Sequence, residues 1–96
     1  MSVDSYSEAE AGRLFEELFM HYKKRRILEK EMLDFFESRG LEIKDRKQLE
    51  FLMYKAEKAL GWMTAGVGPN WVSAVFANSQ EDLEKFLDRK KKKKKA

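Results

Sequence analysis

Residues 61–77 read Gly-Trp-Met-Thr-Ala-Gly-Val-Gly-Pro-Asn-Trp-Val-Ser-Ala-Val-Phe-Ala. The flanking segments have helical periodicity, so this stretch decides whether the chain is wholly α. Residues 61–70 hold three of the five glycines and the single proline, which reads as a loop. The following segment, 71–77, has two readings. Trp71, Ser73 and Val75 alternate with Val72, Ala74 and Phe76 as in a short strand. Its candidate partner is 62–64 across the Gly-rich turn, and such a hairpin needs a helix to cover it. Alternatively Pro69 opens a helix as its first residue. The preferred reading is helix, or loop with one helical turn, with a small β-hairpin near 62–76 as the alternative.

Upstream, Asp45 and Gln48 pair as a helix start ahead of Leu49, Leu52, Met53, Ala56 and Leu60, and Gly61 ends the helix. Phe51 and Tyr54 widen its apolar surface, so the helix is expected to pack on more than one side. Further upstream, Ser7 and Glu10 form a capping box. From there to Arg39 the chain has no Pro, and its only Gly is Gly12. Leu14, Phe15, Leu18, Phe19 and Tyr22 follow helical spacing, and after the basic residues 23–26 the stripe resumes at Leu28, Met32, Phe35 and Phe36. Gly40 fits a left-handed helix end with Leu41 folding back. An unbroken helix of about 32 residues would be about 48 Å long. A domain of this size has a diameter of roughly 30–35 Å. The helix therefore breaks near 23–26, or it projects and needs a partner.

The projecting alternative has its own pattern. Leu14, Leu18, His21, Arg25, Leu28, Met32 and Phe35 fall on a 4,3 spacing, a coiled-coil seam for a homodimer that is polar at its centre. Two ordinary amphipathic segments explain the same residues. Downstream, Ser79 and Asp82 cap a last helix with Leu83, Phe86 and Leu87 facing the core. The expected fold is thus mostly α: a long N-terminal helix, a helical hairpin and a C-terminal helix. Residues 1–89 make a single domain, and 90–96 a disordered cationic tail.

Charge divides the chain the same way. Twenty Lys and Arg face 17 Asp and Glu, a net charge of +3. Without the six lysines at 90–95, residues 1–89 hold 14 basic against 17 acidic residues, a net −3. A block of like charge stays solvated and favours polyanions. Arg89, Lys90, Lys91, Lys92, Lys93, Lys94 and Lys95, with Lys23, Lys24, Arg25 and Arg26, are the candidate nucleic-acid contacts. Lysine is a point charge without base-reading geometry, so this grip is independent of base sequence. A lysine run can equally serve solubility, and 23–26 can be a solvated face paired with Glu16, Glu17, Glu29 and Glu31.

Many chemistries lack their residues. There is no Cys and one His, so no structural zinc site can be built and no cofactor or metal is expected. Residues 66–68, Gly-Val-Gly, lack the third Gly of a dinucleotide fingerprint and the Gly-Lys-Ser/Thr of a phosphate loop. Trp62 and Trp71 could line a small groove, but large aromatics more often anchor a core. No apolar run approaches a membrane span. The N-terminus has no secretory pattern, so the expected location is cytoplasmic or otherwise intracellular.

The turn 38–45 between two helices also fits a DNA-binding helix-turn-helix, with Arg46, Lys47, Glu50, Tyr54 and Lys55 on the second helix. The leading expectation is a non-enzymatic, self-associating protein that holds nucleic acid through its tail. The alternative is an adaptor or accessory subunit whose acidic helical body binds a partner protein, with the tail touching an acidic surface. A small enzyme would have to place its site at 61–71.

Overall fold

A computed structural model describes residues 5–67 and 72–95, with side chains as far as Lys91. Among the described residues, four helices and three strands follow in the order α1 (Glu8–Tyr22), β1 (Arg26–Leu28), α2 (Glu29–Ser38), α3 (Arg46–Leu60), β2 (Met63–Val67), β3 (Ser73–Ala77) and α4 (Gln80–Lys95). The strands form one antiparallel sheet in the order β1-β3-β2.

The long N-terminal helix is two helices. Tyr22 ends α1, and Lys23 adopts left-handed geometry at φ 53° while its N–H donates to the Phe19 carbonyl. Four consecutive cations contribute nothing to burial, whereas Ile27 just beyond them is wholly buried as a strand residue opposite Val75. The seam from Leu14 to Phe35 therefore does not exist as a continuous stripe. Leu14, Leu18, Met32 and Phe35 are buried in this chain's own core, Leu28 is half-buried in β1, and His21 and Arg25 are exposed.

The hairpin alternative for 62–76 holds: β2 and β3 pair from Met63↔Ala77 to Val67↔Ser73. The helical reading of 71–77 gives way to a strand over 73–77, and Trp71 lies outside the described residues. β3 is central, so Ser73, Ala74, Val75 and Ala77 are all buried, which suits a short run of small and β-branched residues. Register places Ile27, Val75, Ala65, Met63 and Ala77 on the core face and Arg26, Phe76 and Thr64 in a row on the other.

The helices cover the sheet's core face. α1 packs along α3 closely enough that a Cβ on Gly12 would lie 2.9 Å from the Ala59 Cβ. Phe15 and Phe36 meet edge to face at 5.4 Å. Trp62 meets the Phe19 edge at 5.1 Å and stacks on Phe86 at 4.6 Å, which ties α4 to the core.

The caps fall where local chemistry places them. Ser7 and Glu10 exchange their hydrogen bonds, Asp45 accepts from the Gln48 N–H, and Ser79 accepts from the Asp82 N–H. Gly40, at φ 76°, closes α2: its N–H donates to the Glu37 carbonyl and the Leu41 N–H to that of Phe36. The α4 backbone stays helical to Lys95, where composition predicts a disordered tail from residue 90. No helix among the described residues is long and apolar enough to cross a membrane.

Candidate nucleic-acid interface

α2, the turn 39–45 and α3 form a helix-turn-helix whose second helix has one open side. Leu49, Leu52, Met53 and Ala56 bury the inner side of α3. At 100° per residue, Lys47, Phe51, Tyr54 and Lys58 then lie on the opposite pole. All four are exposed, Phe51 by 46% and Tyr54 by 43%. The expectation that these aromatics pack against a second neighbour is corrected: α3 buries one side only. The Lys55 ammonium sits 4.2 Å from the centre of the Phe51 ring and also donates to the Tyr6 carbonyl.

The start of α3 is fixed from several directions. Asp45 caps it, and the Gln48 side chain accepts from the Lys44 N–H at 2.9 Å. Arg46 pairs with Glu29 at 3.3 Å, and the same carboxylate oxygen accepts the Ser73 N–H, also at 3.3 Å. One acidic residue at the start of α2 thereby links α3 to β3. At the other end, Glu57 accepts the Ala65 N–H at 2.9 Å, so β2 is held against α3. The β2–β3 hairpin thus stands beside α3 in a fixed relation, with Val67, 44% exposed, near its tip.

The basic residues at 23–26 have different partners. Arg25 is structural: its Nε donates to the Ala77 carbonyl at 3.1 Å and its Nη2 to that of Asn78 at 2.8 Å. Lys24 pairs with Glu31. That bond, with the Leu28 N–H, holds the Glu31 carboxyl below the usual glutamate range. Arg26 lies on the outer sheet face opposite Phe76. Lys23 alone joins the tail: with Lys90, Lys91, Met20, Glu84, Leu87 and Asp88 it lines a cleft of about 420 Å³ between α1 and α4. Lys90 is also paired with Glu16 at 3.3 Å. Arg89 is exposed, and the side chains of Lys92, Lys93, Lys94 and Lys95 lie outside the described residues.

The acidic partners expected for 23–26 are mostly engaged elsewhere. Glu16 binds Lys90, Glu17 binds Arg39 and Glu29 binds Arg46; Glu31 alone serves its expected role, on Lys24. His21 packs its ring against Tyr22 and Phe35, at 4.7 and 5.2 Å.

Of the helix-turn-helix residues read from sequence, Arg46, Lys47 and Tyr54 are exposed, whereas Glu50 and Lys55 are half-buried at the flanks. Phe51 and Lys58 were missing from that set. The period of α3 could have found them, since both lie opposite the Leu49–Leu52–Ala56 side. No family model, curated protein or solved structure matches the chain.

Proposed function

We propose that the protein binds duplex DNA by laying α3 in the major groove, with the lysines of α4 adding a hold that is independent of base sequence. The observation that carries this reading is the outward stripe of α3: two aromatics between two lysines, on the second helix of a helix-turn-helix. A helix, a strand, a helix-turn-helix and a hairpin, with the last strand central, is the topology of a winged helix-turn-helix. That is support by analogy of fold. The stripe supplies the site-level support. An α-helix fits the major groove, which is about 12 Å wide. Lys47 and Lys58 are about 16 Å apart along the axis at 1.5 Å per residue, and flexible stems let each reach a different phosphate backbone.

The adaptor reading keeps one specific support: the exposed side chains of Phe51, Tyr54 and Val67 also suit a protein partner, and residues 1–89 are net acidic.

The test is duplex binding across a salt series by the full chain, by Lys47→Ala with Lys58→Ala, and by a chain ending at Arg89. Each phosphate that no longer meets a lysine should flatten the log–log salt slope by about 0.9. The slope of the double variant should therefore be shallower by about two units. That of the shortened chain should be shallower by up to about five, yet its binding should still depend on Lys47 and Lys58. A double variant that binds like the parent removes α3 from the interface.

A further inference from the structure

We infer that Phe51 and Tyr54 read the methyl groups of thymine, so that α3 prefers duplexes with thymine in the major groove. The inference rests on the duplex-binding reading and names what that same face selects. Phe51 and Tyr54 occupy the middle of the outward pole, one turn apart, and are two of the three large apolar side chains exposed among the described residues. Neither is needed to fill the core, because the buried side of α3 is complete without them. An aromatic ring left half-exposed at the centre of a cationic stripe calls for an apolar surface flanked by negative charge.

The major groove offers that combination where thymine places its C5 methyl between two phosphate backbones, and phenylalanine is among the side chains that contact it. Lys47 and Lys58 bracket the rings, and charge complementarity selects this occupant over an uncharged one. The Lys55 ammonium, 4.2 Å from the Phe51 ring centre, adds positive charge beside the same ring. Glu50 flanks the stripe half-buried, where its carboxylate repels the phosphates and suits a cytosine amino group instead. The face therefore reads methyls with its rings and holds phosphates with its ends.

The experiment measures binding of the full chain to four short duplexes: alternating dA-dT, the same duplex with uracil for thymine, alternating dG-dC, and the last with 5-methylcytosine for cytosine. Within each pair the strand charge is the same and the designed difference is one methyl per pyrimidine. Burying such a methyl should favour the methylated member roughly threefold to tenfold. Phe51→Ala should remove most of that preference while leaving the salt slope as it was. Because Phe51 lies outside the core and loses mainly its contact with Lys55, this variant should stay folded and melt only slightly below the parent.

Equal affinity for the thymine and uracil duplexes, with Lys47→Ala and Lys58→Ala still weakening both, overturns methyl reading and leaves duplex binding standing. A preference that survives Phe51→Ala overturns the role of that ring. If the lysine substitutions change nothing either, the duplex-binding reading falls as well.

Discussion

Lys23 shows how one residue can divide a helix. Its φ of 53° is left-handed, a geometry that costs a residue with a Cβ about 1–2 kcal/mol and glycine little. Lys23→Gly should therefore raise stability by about 1 kcal/mol in denaturant unfolding. Gly12 poses the opposite case. A methyl there meets the Ala59 Cβ at 2.9 Å, with both atoms on packed helices. Gly12→Ala should lose about 1–2 kcal/mol net, since overpacking outweighs the gain in helix propensity. Neither residue was legible as special. The break near 23–26 follows from helix length and domain size, but the close approach at Gly12 depends on a helix far along the chain. Arg25 illustrates the same limit: its two carbonyl partners belong to 77–78, far along the chain.

At the scale of the element, the caps carry a pH dependence. Two hydrogen bonds with Ser7 hold the Glu10 carboxyl below its usual range. Lys24 and the Leu28 N–H do the same for Glu31. A carboxyl whose folded pKa is depressed stabilises above its unfolded value, near 4.3, and that contribution is lost as pH falls through the folded value. The acid limb of stability should thus begin at about pH 4–5, and Glu31→Gln should flatten it when melting is followed against pH. Ser7→Ala should cost about 1 kcal/mol by freeing an end of α1. The starts of α1, α3 and α4 were legible because capping is local: the groups that satisfy each other lie within about four residues. β1 was not, because three residues of Arg-Ile-Leu acquire strand geometry only from β3. The stripe on α3 was half legible. Its periodicity is in the sequence, but which aromatics stay outside depends on what the other helices cover.

For the whole molecule, α4 hangs on a short aromatic chain. Phe86 is wholly buried and stacks on Trp62, which meets Phe19. Phe86→Ala should cost about 3–5 kcal/mol and speed hydrogen exchange in α4 more than in α3. The mostly helical class was legible from periodicity, and the sheet only as an alternative, since strands need partners that spacing alone does not name. β3, the last strand in the chain, is the middle strand of the sheet, and β1 and β2 do not pair with each other. During synthesis the first three helices can therefore be complete while the sheet has no member that can pair. β1 must wait for Val75 to leave the ribosome. Closing that long loop should make strand pairing the slow step of folding, and substitutions at Ile27 and Val75 should slow refolding more than equally destabilising ones at the α1 end.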